Sequence, residues 1–416
     1  MPSITTTQAP NGLDVHRISI PGTRALTTLV AFDAGARCER DAENGIAHFL
    51  EHLVFKGGEL YSDYRQVNET AERMGAMLNA YTSHDLVAFH ITSRAEMAPL
   101  AIDLLTDIAG RPQIDADELE RERGVVIQEI ARAYDQPSTV AEYLIDKAAF
   151  GEHPLGRPVL GPEEHLRSFS RDAILAFRER RWTPSRGAAF LVGNTEHLPD
   201  EATLGESFAR FPTLDGSDSV EPAPAFEPTV IVDERDTNQS HLRLVYRSPV
   251  DPADATQRAA LSIYSTLLGG SMGSRLFDEL REQRGLCYSV WSVDHSFSDA
   301  SVLALGAGLD STKCVEAYGL MREIVDALRS DGPTKDEVER ARAYAAGRRA
   351  IAFENSGAVA RYAANQAILY DDSLDPDLAI ARIDAVSYDA VIEVARGISE
   401  DVAVACVGPQ AVSDFS

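Results

Sequence analysis

Two stretches of the chain carry the apolar pattern of strands, Ala25 to Phe32 and His241 to Tyr246. Each is followed by a polar, turn-rich segment and then by an amphipathic helical pattern that stops at a glycine pair. The first pattern spans Gly45 to Phe55 before Gly57-Gly58, and the second spans Arg258 to Leu268 before Gly269-Gly270. Repetition of this order predicts an internal duplication in which each copy mixes strands and helices as an α+β unit. Leu78 to Ile91 alternates as a strand pair would, and Asp117 to Tyr134 reads as an acidic helix. Between the copies, residues 214–228 are polar and rich in proline (Pro222, Pro224, Pro228), which predicts a linker. The expected division is therefore a first half over 1–213 and a second half over 229–416.

The composition adds limits. With 416 residues, 44% hydrophobic and 25% charged, the chain has the makeup of a folded protein with two domains or one duplicated unit. No apolar run is long enough to span a bilayer, and Met1 to Thr7 lacks the basic and apolar regions of a secretory signal, so a cytoplasmic location is expected. Cys38, Cys287, Cys314 and Cys406 are scattered without a CxxC pair, which argues for ordinary thiols. The net charge is −26. Most of the carboxylates behind it read as a solvated surface, but their field disfavours nucleic acid and anionic membranes and favours basic or neutral partners.

Sliding one copy along the other by about 212 positions sets His48, Glu51 and His52 against positions near Ala260, Ile263 and Tyr264, so only the first copy has metal-ligating side chains there. His48 and His52 are four residues apart in a helical pattern, hence on one face, where two imidazoles can point at one ion. Glu51 lies on the same face and can reach a water bound to that ion without itself being a ligand. A helix with two surface histidines beside a glutamate would give the same string. A catalytic zinc site with an open water position needs a third protein ligand. Glu129, among Val125, Val126, Ile127 and Ile130, is the best source, because a carboxylate in apolar surroundings needs a strong partner such as a metal. Glu122, two turns earlier on the same stripe, is then placed as a group supporting a ligand.

A histidine pair in HxxEH followed by a glutamate 77 positions after the second histidine (129 − 52 = 77) resembles the signature of the pitrilysin or insulinase family of zinc metallopeptidases, in its mitochondrial processing peptidase-like branch. Similar stretches run nearly end to end: Leu78 to Thr82, Gln128-Glu129-Ile130, His153 to Arg157, Leu191 to Asn194, and Gly269 to Tyr288. The resemblance implies two structurally similar α/β-sandwich halves, a clamshell dimer enclosing a chamber, and one zinc per chain held by His48, His52 and Glu129. It implies an endopeptidase that hydrolyses short or unfolded peptides through a metal-bound water activated by Glu51.

By the same resemblance Asn79, Ala80 and Tyr81 belong to an edge strand that holds a peptide as an added strand. Arg281 and Tyr288 contact substrate and polarise the scissile carbonyl, roles that suit a guanidinium and a phenol. The implied partners are peptide substrates and a second copy of the chain sharing the site, with a different partner subunit as the alternative. Related chains also serve as noncatalytic subunits, but such chains usually lack the metal ligands. Gly269 to Ser274 is not a phosphate loop, since no lysine follows the glycines, and His84, His90 and His153 do not pair at metal spacing.

Overall fold

The computed structural model describes residues 2–213 and 218–415, so residues 214–217 of the expected linker lie outside the described residues. Residues 218–228 form no helix or strand. The chain divides into two compact units, each built on one sheet.

The first unit takes in Met1–Ile130, Pro158–Glu221 and Ile351–Leu378. Its sheet has six strands, β1 (Ser3–Gln8), β2 (Asp14–Ser19), β3 (Ala25–Phe32), β4 (Met77–Thr82), β5 (Val87–Arg94) and β6 (Gly187–Gly193), in the order β1-β2-β6-β3-β5-β4. The second unit takes in Ala131–Arg157, Pro222–Ala350 and Ala379–Ser416. Its five strands are β7 (Val230–Glu234), β8 (Gln239–Arg247), β9 (Cys287–Ser296), β10 (Ser301–Asp310) and β11 (Val402–Gly408), in the order β7-β11-β8-β10-β9. Apart from β1, the two orders correspond strand for strand. In each sheet one neighbouring pair is parallel, β2 with β6 and β7 with β11, and the others are antiparallel. The expected duplication of α+β halves is therefore present.

Five helices cover these sheets or carry the site residues: α1 (Ile46–Val54), α2 (Ala116–Tyr134), α3 (Pro137–Phe150), α4 (Ala255–Ser265) and α5 (Ser356–Asn365). Strand β3 is buried from Leu26 to Phe32 and, apart from Thr27 and Thr28, apolar, because both faces of its sheet are covered. One face sends Val30, Phe32 and Phe89 into a core with Phe49, Leu50 and Leu53 of α1. The opposite face packs Leu29, Ala31, Ala88 and Phe190 on Val359, Ala360, Ala363 and Ala364 of α5. In the second unit Leu242, Leu244 and Tyr246 meet Ile263 and Tyr264 of α4, while Val245, Val302, Ala403 and Ala405 meet Ile145, Ala148 and Ala149 of α3. Each sheet is thus closed on its second face by a helix from the other half of the sequence. A single cut near 214–228 separates the sheets but not these helices, a detail that reading the chain as two consecutive halves misses. Sequence order does not reveal which helix buries a second apolar face.

Strand β4 is the last strand of its sheet, paired only with β5 among the described residues, and β9 holds the same place in the other sheet. No helix among the described residues is long and apolar enough to cross a membrane.

Candidate metal centre

Helix α1 begins at Gly45, whose φ of 100° falls in the left-handed region. A Cβ there would sit 2.7 Å from the Leu160 carbonyl oxygen, so the position needs glycine for both backbone shape and space. Glu39 caps the helix from outside: its carboxylate accepts the backbone N–H groups of Gly45 at 2.9 Å and Ala47 at 2.8 Å, and the Asn44 side-chain amide at 3.0 Å. Burial pushes the Glu39 carboxyl up to about 8, against the pull of these three bonds. Eight of the nine residues of α1 are buried, which fixes the face that carries His48 and His52.

The two imidazole rings lie 4.7 Å apart, one turn along that face. Glu129, on α2, reaches both: its Oε1 is 3.9 Å from His48 Nε2 and its Oε2 is 3.3 Å from His52 Nε2. The three side chains offer ligand atoms within 4.8 Å of one another. Tetrahedral zinc with bonds of about 2.1 Å sets neighbouring ligand atoms roughly 3.4 Å apart, so the histidine and glutamate donors stand near the spacing the ion requires. Two neutral imidazoles and one carboxylate also match the donor set of hydrolytic zinc sites. The residues present fit zinc.

Glu129 is not enclosed as its apolar neighbours in sequence suggested, for its side chain is 42% exposed. Val126 and Ile130 are buried but Val125 is 52% exposed, and the carboxylate is held by the histidines. Hydrogen bonding to His52 lowers its pKa, with the histidine charges assisting. Glu122 is the more buried of the two, at 6%. Its Oε1 bonds to His52 Nδ1 at 2.9 Å, and its Oε2 pairs with the Lys56 ammonium. Burial opposes ionisation of Glu122, but these bonds outweigh it and hold its pKa below the ordinary value. One histidine ring is therefore gripped from both nitrogens. A carboxylate on Nδ1 fixes the tautomer that leaves Nε2 as the donor to a metal.

Glu51 is 9% exposed and accepts a hydrogen bond from Thr82 Oγ1 at 2.5 Å. Burial raises its pKa, with the Thr82 bond opposing, which moves a carboxylate toward the range useful for proton transfer at neutral pH. In metal-free protein the histidines are pushed apart: burial lowers His48 to about 4, whereas at His52 burial is overcome by Glu122 and Glu129 and the pKa rises to about 9.

Residues 15–163 match the model described as insulinase (peptidase family M16), and residues 168–344 match the one described as peptidase M16 inactive domain. The chain belongs to the insulinase, or M16, peptidase family. An M16 relative described as an uncharacterized zinc protease of Bacillus subtilis is 30% identical over 96% of this chain and 97% of its own length. Another described in the same words, from Mycobacterium tuberculosis, is 30% identical over 97% of this chain and 92% of its own. Among solved M16 structures, a peptidase M16 inactive domain from Pseudomonas fluorescens superposes with a TM-score of 0.89 at 19% identity, covering 98% of this chain and 99% of that one. A Helicobacter pylori protease gives 0.85 at 20% identity over 98% and 100%. At these identities the likeness shows the M16 fold.

The remaining M16 site residues expected from the sequence fall in both units. Asn79, Ala80 and Tyr81 lie on the edge strand β4. Arg281 and Tyr288 are neighbours in the second unit, the guanidinium 5.3 Å from the Tyr288 ring centre, and Tyr288 is 85% exposed. Ala260, Ile263 and Tyr264, opposite His48, Glu51 and His52 in the duplication, are all buried in α4. The sequence alone did not point to Lys56 or Glu39, and it placed Thr82 in the edge-strand stretch without its contact to Glu51. Lys56 lies four residues beyond His52, a helical spacing that hints at a shared face, but the contacts of Thr82 and Glu39 arise only on folding.

Proposed function

We propose that this chain is a zinc-dependent endopeptidase that hydrolyses short or unfolded peptides. The observation that carries this reading is the placing of His48, His52 and Glu129 at ligand spacing with the ionisable Glu51 one residue away on the same helix face. His48, His52 and Glu129 would hold a zinc ion, which would supply Lewis-acid activation of the attacking water. Glu51 takes the proton from the attacking water and delivers it to the departing amine, the two transfers a hydrolysis needs. Glu122 holds His52 in the binding tautomer. A peptide pairs with the backbone of β4 at Asn79, Ala80 and Tyr81, which binds chain without demanding sequence. In a dimer that shares the site, Arg281 and Tyr288 contributed by the second copy of the chain serve as hydrogen-bond donors to the carbonyl oxygen as it gains charge. The net charge of −26 favours basic or neutral peptides.

A homodimer is the assembly we propose, with sedimentation of the purified chain as its check. The alternative is a noncatalytic subunit, supported by the description of the second matching model as an inactive domain. That model covers residues 168–344, outside the span from His48 to Glu129. Digestion of a peptide library by purified protein, with and without zinc and read by mass spectrometry, separates the two readings. Cleavage that needs zinc and Glu51 supports the peptidase; a zinc-loaded chain that cleaves nothing favours the subunit.

A further inference from the structure

Thr82 is the last residue of β4, the strand assigned to pairing with substrate, and its hydroxyl donates to Glu51 Oε2 at 2.5 Å. Along β4 successive side chains point to opposite faces, so Thr82 shares a face with Leu78 and Ala80, which pack on the core beneath α1. That alternation brings the hydroxyl to the helix that carries Glu51.

The backbone beneath Thr82 is held from several directions. Thr82 pairs with Val87 in the β4–β5 ladder, and the turn between them is closed by Ser83 N–H to the Leu86 carbonyl at 2.7 Å. Three further backbone bonds tie the turn to the segment after β3: Gly35 N–H to the Asp85 carbonyl at 3.0 Å, Ala36 N–H to Ser83 at 2.9 Å, and Arg37 N–H to His84 at 2.7 Å. The approach is close enough that a Cβ on Gly35 would meet the Ser83 and His84 carbonyl oxygens at 2.4 Å. Arg37 and Asp85, both buried, form an ion pair across the same junction. A β-branched side chain on a backbone so fixed has few rotamers open to it. Its hydroxyl is a preset donor.

From this geometry we infer that Thr82 is a positioning residue for the general base: its hydroxyl fixes the plane of the Glu51 carboxylate and links that carboxylate to the strand on which the peptide docks. A carboxylate gripped through one oxygen presents the other in a set direction, and proton transfer depends steeply on direction. Substrate pairing with β4 would then be felt directly at the base. The inference rests on the peptidase reading, in which Glu51 is the base.

Thr82→Val removes the hydroxyl at nearly constant shape, and Thr82→Ser keeps the hydroxyl while removing the methyl. The expected result is a fall in kcat of about 10- to 100-fold for Thr82→Val with KM within about twofold, and near wild-type turnover for Thr82→Ser. Both variants should bind zinc as wild type does in a chelator competition, and crystal structures of the zinc-loaded proteins should show the Glu51 carboxylate displaced or in two conformers only in Thr82→Val. Unchanged kcat in Thr82→Val, equal damage in both variants, loss of zinc, or a Glu51 carboxylate unmoved in Thr82→Val would each overturn the inference. A wild-type protein that binds zinc and cleaves nothing would instead overturn the peptidase reading, and the crystallographic comparison would still decide whether Thr82 positions Glu51. Should Thr82→Val fail to fold, Thr82→Ala compared with Thr82→Ser tests the same hydroxyl.

Discussion

Glu122 grips the far side of the His52 ring, its Oε1 2.9 Å from Nδ1, while Glu129 faces Nε2 at 3.3 Å from the same helix two turns later. The two glutamates thus act on one imidazole in different ways. Glu129→Gln removes a charged ligand atom and should cost more zinc affinity than Glu122→Gln, which removes a support and should weaken binding about 10- to 100-fold. Titration against a chromophoric chelator gives the order, and a larger loss in Glu122→Gln would mean that the two roles are exchanged.

Removing either imidazole, by His48→Ala or His52→Ala, leaves two protein ligands of three, and zinc content should fall from one per chain to near zero after dialysis. Glu51→Gln should retain the metal and lose at least about 100-fold in turnover, because an amide cannot take a proton from water. Elemental analysis beside peptide cleavage distinguishes the classes; full zinc content in both histidine variants would remove these residues from the site.

Zinc binding should depend on pH through His52. Its pKa in the metal-free protein stands at about 9, above the ordinary 6.5, because the hydrogen bonds and charges of Glu122 and Glu129 outweigh burial. Such a raised value contributes stability to metal-free protein that is fully present below about 6.5 and lost as pH rises through about 9. Zinc must displace that proton, so apparent affinity should rise about tenfold per pH unit from 7 toward 9 and level off above it. His48, held near 4, adds no further proton in this range. Calorimetry in buffers of different ionisation enthalpy should count close to one proton released at about pH 7.5, and none released would contradict the pairing described for His52.

Gly45→Ala should destabilise the protein by more than about 1 kcal/mol, since alanine must adopt a φ of 100° and its methyl would collide with the Leu160 carbonyl. Displacement of α1 moves His48 and His52 with it. Thermal unfolding with and without zinc should show a lower midpoint in both states and a smaller zinc-induced rise than in wild type. An unchanged midpoint would show that the turn before α1 relaxes freely.

Periodicity and spacing determined much of this protein from the sequence alone. The strand over Ala25–Phe32 was legible to the residue because a strand buried on both faces is written as an apolar run, and the HxxEH helix because i, i+4 spacing is a local property. The duplication was legible because both copies keep the same order of local signals. Tertiary structure alone decided which residues meet. Folding alone set Glu122 between His52 and Lys56, and it left the Glu129 carboxylate partly exposed and held by the two histidines rather than enclosed by its apolar neighbours in sequence. Thr82 sits 31 residues from Glu51 and Glu39 eight from Ala47, separations with no helical or strand period to expose the contact. The crossing of α3 and α5 onto the opposite sheets is of the same kind. Apolar residues record that a face must be buried; they do not record by what, because the hydrophobic effect is non-directional and any complementary apolar surface can satisfy it.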